Sequence, residues 1–232
     1  MRITKYFFAF LTITTISLSS VHAEGLSKEA MFSRLSALAP SGNADIKYNL
    51  GMFLNNGIGT ARDNKTAYKY FTEAAELGHE LASYKVGYYL AGQFPGTVPV
   101  NEAEAGYDLA QFDVGMHFIK KRDLENANLW WERASRQGNM QATLAYLYYL
   151  SKSASPNEVT SYALGLMLKE MMPDPTKELL AHIATLETKL TTEQKSEANT
   201  IRASWFTGKT PLTLKAQEGI NALLALLASL ER

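Results

Sequence analysis

Small and aromatic residues recur along this chain at the spacing of a helix face. Ala67, Phe71 and Ala74 fall at i, i+4 and i+7, with Lys69, Thr72 and Glu73 among the positions between them. Ala127, Trp131 and Ala134 repeat the arrangement. Such a period lines one apolar stripe along a helix. A second pattern precedes each stripe. The segments Gly42–Gly51, Gly78–Gly87, Gly106–Gly115 and Gly138–Leu147 align without gaps, and their leading glycines are separated by 36, 28 and 32 residues. Self-similarity at that period marks stacked supersecondary units.

The pattern predicts a helix A, a loop, a helix B and a terminating glycine in each unit. Gly78 and Gly138 stand where a helix end needs positive φ. The alanines let two helices approach closely, and the Leu50-Gly51 pair removes a side chain where helix B crosses helix A. One hairpin cannot bury its apolar face alone, so neighbouring hairpins must stack.

These residues resemble the Sel1-like repeats. The first unit carries Leu50-Gly51, Gly57-Ile58-Gly59, Asp63, Lys65, Ala67, Ala74-Ala75 and Gly78. The resemblance runs from about Ser41 to Trp205. It implies an all-α fold, an α-α superhelix formed by a right-handed solenoid of helical hairpin repeats with C-terminal capping helices. Two departures stand out. The second unit lacks room for a full helix B before Gly106, and the third has a shortened loop at Lys120 to Asp123. Gln93 to Gly96 is therefore expected to be a protruding loop. Helices are also expected over Asn157 to Met172, Thr176 to Leu190, from Thr191 onward, and over Leu212 to Leu230, where Pro173 and Pro175 and the Gly208 to Pro211 turn mark breaks. The organisation expected is a leader over 1–23, an N-terminal capping helix within 24–40 around Lys28 to Leu38, repeats over 41–172, and over 173–232 a cap that covers the open end.

The leader is set aside on its composition. Arg2 and Lys5 precede a mostly apolar, uncharged run from Tyr6 to Ser19, and Val21-His22-Ala23 offers a cleavage site after Ala23. The run is shorter than the roughly 20 residues of a membrane span. An exported, periplasmic or secreted protein without stable membrane insertion is expected. Lys and Arg number 23, as do Asp and Glu, so there is no basic excess to attract nucleic acid. The absence of cysteine excludes disulfides and thiol chemistry.

Little else points to chemistry. His79, His117 and His182 remain after the leader, and no two have ligand spacing, so no metal is expected. Gly57-Ile58-Gly59 lacks the Lys-Ser/Thr of a phosphate loop. The pairs Glu73 and Glu76, and Glu102 and Glu104, read as solvated helix faces. No serine-nucleophile motif is present. No catalytic residue and no cofactor are expected.

A stripe is more informative. By analogy with tetratricopeptide hairpins, the concave side of helix A falls six and ten residues after each leading glycine. Those slots hold Tyr48, Met52, Tyr84, Tyr88, Phe112, Met116, Leu144 and Tyr148. Tyrosine offers a large contact area with a polar tip, and methionine adapts to irregular partners. The same slots also suit packing between helices, so groove and core both stand for Tyr48, Tyr84 and Phe112 above all. Trp131 fills the Phe71 slot and is expected in the core, and Trp130 on the convex side. The resemblance implies a module that binds a protein or peptide. A hydrolase of cell wall or β-lactam and an inhibitor or immunity-type protein are the other classes weighed. The leucines from Leu223 to Leu230 also suggest a dimerising end.

Overall fold

The computed structural model describes residues 26–93, 98–152 and 157–229, and among these every regular element is a helix. Helix α1 (Lys28–Leu38) leads into the first hairpin, α2 (Ala44–Asn56) and α3 (Asn64–Glu76). The second hairpin is α4 (Glu80–Gln93) with the short α5 (Val100–Glu104), and the third is α6 (Asp108–Lys120) with α7 (Leu124–Arg136). Then follow α8 (Met140–Lys152), α9 (Glu158–Met171), α10 (Lys177–Lys189), α11 (Thr192–Ser204) and α12 (Pro211–Ser229). The whole is a solenoid of helical hairpins.

Local chemistry sets the helix ends. Asn43, Asp63, Asp123 and Asn157 each accept the backbone N–H three residues on, and Thr191 and Gln194 form a reciprocal capping box. Each cap satisfies a backbone donor that the first turn of its helix leaves without an intrahelical partner. Gly78 and Gly138 end α3 and α7 with φ of 87° and 90°.

Close helix crossings hold the hairpins. A Cβ on Gly51 would lie 2.7 Å from the Phe71 ring of α3, and one on Gly115 would lie 2.3 Å from the Trp131 indole nitrogen of α7. Phe71 and Trp131 are buried, and the Trp131 Nε1–H donates to the Phe112 carbonyl at 3.2 Å. Gly87 of α4 is the counterpart in the second hairpin, yet nothing among the described residues lies within 4 Å of its Cβ position. The five-residue α5 is too short to cross there.

Of the C-terminal region expected to cover the open end, α12 takes another path. The Trp205 Nε1–H donates to Ser135 Oγ at 2.8 Å, and the Thr207 N–H to the Arg136 carbonyl at 3.0 Å. These bonds turn the chain back along the repeats. Leu212 then packs with Leu81 and Tyr84, and Leu223 and Leu227 pack with Leu35, Leu50 and Phe53. Leu223 and Leu227 of the apolar end are thus spent within the first hairpin, whereas Leu224 stays exposed and Leu230 lies outside the described residues. Of the loop expected at Gln93 to Gly96, residues 94–96 lie outside the described residues, as does the leader Met1 to Ala23. Among the described residues no helix is long and apolar enough to cross a membrane.

The crossings yield a stability test. Gly115→Ala drives a methyl into a rigid indole and should cost about 1–3 kcal/mol. Gly87→Ala meets open space in a helix interior and should gain roughly 0.5–1 kcal/mol. Urea unfolding midpoints of the two variants should move in opposite directions. A Gly115→Ala variant as stable as the parent would contradict the crossing argument.

Candidate binding groove

The A helices α2, α4, α6 and α8 carry the aromatic and methionine stripe, and the structure divides it into three groups. Tyr84 and Phe112 are 7% and 8% exposed and serve the core. Tyr84 meets Tyr107 edge-on at 4.9 Å, and its hydroxyl donates to Asp113 Oδ2 at 2.9 Å. Burial raises the pKa of this phenol and of the Asp113 carboxyl, and lowers that of the Lys85 ammonium nearby.

Tyr48 and Met52 form the second group. They are half-buried and line a cavity of about 400 Å³ between α2 and α12. Asp45 and His79 stand at one end, and Lys215, Leu223 and Leu226 of α12 form the opposite wall. Burial pushes the Tyr48 phenol up to about 12. Tyr48 stacks on the His79 ring with centroids 4.2 Å apart.

Tyr88, Met116 and Tyr148 form the third group. Tyr88 is 67% exposed and Tyr148 44%, each edge-on to the next tyrosine in its helix. Met116 is half-buried beside Phe112. Leu144 is also exposed. This group leaves apolar area open on three successive A helices, where a partner has something to bury. Trp131 lies in the core, while Trp130 is half-buried under the Arg133 guanidinium at 4.7 Å.

His79 is a capping residue. It is buried, and its Nδ1 accepts the Ala82 N–H at 3.1 Å, which fixes the proton on Nε2. That nitrogen faces Asp45 Oδ1 at 3.3 Å. His79 therefore caps α4 as Asn43 and Asn139 cap α2 and α8. The gapless alignment of Asn43, His79 and Asn139 after their glycines carried that signal. Burial, reinforced by the Lys215 ammonium and opposed by Asp45, pushes the imidazole down to about 4.

One pairing had no sequence signal. Ser161 Oγ lies 2.8 Å from His182 Nε2, across α9 and α10. The serine is 1% exposed, and the pair ties two helices together. Ser161 and His182 both line a cavity of about 230 Å³, together with Lys152, Glu158 and Lys189. Among the described residues no group of three or more His, Cys, Asp or Glu is placed to hold a metal.

The wider comparisons agree with this architecture. Residues 47–79, 81–107 and 108–139 each match the Sel1 repeat. No curated protein sequence is similar to the chain. Among solved structures, a protective antigen present in uropathogenic Escherichia coli strains, which displays an SLR fold, superposes with a TM-score of 0.60 at 19% identity. That match covers 81% of this chain and only 43% of the antigen. A Sel1 repeat protein from Oxalobacter formigenes superposes with a TM-score of 0.57 at 18% identity, covering 76% of this chain and 78% of that one.

His79 makes stability depend on pH. Its folded pKa lies below the ordinary value of 6.5, so only the unfolded chain binds this proton as the pH falls from 6.5 toward 4. The stability it contributes is present above pH 6.5 and is lost through that window, at up to about 1.4 kcal/mol per pH unit. His79→Asn keeps a capping acceptor and removes the titration. Thermal melts at pH 7.5 and 5.0 should show a smaller acid loss for this variant than for the parent, and equal losses would refute the assignment.

Proposed function

Because the chain carries three Sel1 repeats folded into a solenoid, we propose that it is an exported protein-binding adaptor that holds a polypeptide partner on the face of its A helices. The observation that carries this reading is the open patch of Tyr88, Met116 and Tyr148. Tyrosines this exposed on the second and fourth A helices, with Met116 on the helix between, bury large area at small entropic cost when a partner arrives. The energy of such an interface concentrates in a few anchors ringed by near-neutral contacts. Met1 to Ala23 serves as the export signal, and the module acts in the periplasm or outside the cell.

Two experiments test the reading. The chain without residues 1–23 is used to pull partners from periplasmic extract, beside a Tyr88→Ala/Met116→Ala/Tyr148→Ala variant matched in circular dichroism and melting. The parent should retain a specific polypeptide, and the variant should bind it more weakly by about 2 kcal/mol or more, roughly thirty-fold. Equal retention by both removes the patch from the interface. Separately, mass spectrometry of the full chain expressed with its leader in a bacterium should show a mature N-terminus at Glu24. A protein that keeps Met1 to Ala23 overturns the export assignment.

A further inference from the structure

From Trp205 to Leu227 the chain runs back from the third hairpin to the first, and its two halves are held unequally. A buried polar clasp secures the start. The Thr210 N–H donates to Gln137 Oε1 at 3.0 Å, its hydroxyl donates to the Gly106 carbonyl at 2.8 Å, and the buried Thr213 hydroxyl accepts the Asp108 N–H at 3.1 Å. Past Glu218 the attachment is of another kind. Leu223 and Leu227, 0% and 1% exposed, insert beside Leu50 and Phe53, and the Arg34 guanidinium donates to the Leu227 carbonyl at 3.1 Å.

Gly219 separates the halves. Its φ of 50° and ψ of −121° break α12 in two, in a region that residues with a Cβ rarely enter. Among the described residues nothing lies within 4 Å of its Cβ position, so no crowding demands glycine there. Only the bend does. Any other residue favours one continuous helix, which would carry Leu223 and Leu227 away from α2. The seat is also partly open. A cleft of about 400 Å³, open to solvent over Tyr48 and Met52, remains between the helix and its groove.

We infer that the first-hairpin end of the A-helix face is a groove for an amphipathic helix of a partner protein, and that the segment after Gly219 is its tethered stand-in. The inference rests on the protein-binding reading and adds the chemistry of the occupant. The tail shows what the groove accepts: an apolar helix face with leucines at i and i+4. A partner helix of this pattern takes the same seat and reaches further into the cavity, and the tail swings out at Gly219. While seated, the tail lowers the apparent affinity for a rival by the fraction of time it occupies the groove.

The test uses the chain without residues 1–23 and, as probe, a fluorescein-labelled peptide of residues 211–232. Gly219→Ala touches no groove residue and straightens α12. It should bind the peptide at least ten-fold more tightly than the parent. The chain has no cysteine, so spin labels at Asn56→Cys and Ala225→Cys, both exposed positions, report the tail directly. One short separation in the parent should give way to a longer, broader one on adding peptide or on introducing Gly219→Ala. Met52→Glu in the Gly219→Ala chain should abolish peptide binding. Equal peptide affinity for parent and Gly219→Ala, or an unchanged label separation, overturns the inference. A Gly219→Ala chain that dimerises with rising concentration in light scattering names a second copy as occupant and overturns the assignment to a partner helix. These readouts do not involve Tyr88, Met116 or Tyr148. A failed peptide test beside a successful pull-down removes this groove alone, and the reverse result removes the open patch alone.

Discussion

The edge of the Phe71 ring occupies the space that a side chain at position 51 would need, and the Trp131 indole does the same at position 115. Each hairpin closes on that interlock. A large aromatic on helix B buries itself against bare backbone of helix A, and alanines on either side let the two axes approach. The second hairpin breaks the rule, because α5 is a single short turn that never reaches Gly87. A solenoid is held by nearest-neighbour contacts. A missing helix B therefore removes both an internal contact and part of the platform for the next unit. The structure compensates at that place with hydrogen bonds.

The compensation explains the path of the tail. Gln137 Nε2 donates to the Gly106 carbonyl and to Gln111 Oε1, and Asn139 Nδ2 donates to Asp108 Oδ2, so the junction after α5 is already a buried polar network. Thr210 and Thr213 complete it. A Cβ on Gly106 would lie 2.6 Å from Thr210 Cγ2, so the same glycine that ends α5 leaves room for the strap. Buried networks of this kind add little net stability, but an unmade bond within them is costly, and so they specify position. The clasp fixes where α12 starts, and the direction of that helix then brings its leucines over the first hairpin. Distortion in the second repeat and a tail folded along the A helices are one structural fact.

Much of this was legible in the sequence. The i, i+4, i+7 stripe and the glycine register marked the hairpins, and the Leu50-Gly51 pair foretold the crossing. The three resolved Sel1 repeats coincide with segments whose glycines align. The side-chain fate of the stripe was not legible. A helix A slot that faces inward in one repeat can be covered by a strap in the next, and strap contacts span more than a hundred residues, as Asp108 and Thr213 do. Leucines four apart in α12 show that a face is apolar but not which surface it meets. Ser161 and His182 were silent for the same reason, being ordinary residues on separate helices until packing joined them.

The division of the stripe bears on how such a module works. Had all eight slots been buried, the repeats would amount to a rigid rod with no face to offer. Had all been open, the exposed apolar area would invite self-association. The fold instead commits Tyr84 and Phe112 to the core, covers Tyr48 and Met52 with a segment attached through one glycine, and leaves Tyr88 and Tyr148 to solvent. On the proposed reading, a partner first meets the open tyrosines, where nothing has to move. Only a partner that also carries the right helix gains the first-hairpin seat, because it must outcompete a tail held at high effective concentration. Selectivity then lies in the cost of displacing the tail, and affinity in the aromatic anchors, so that the two properties rest on different residues of one surface.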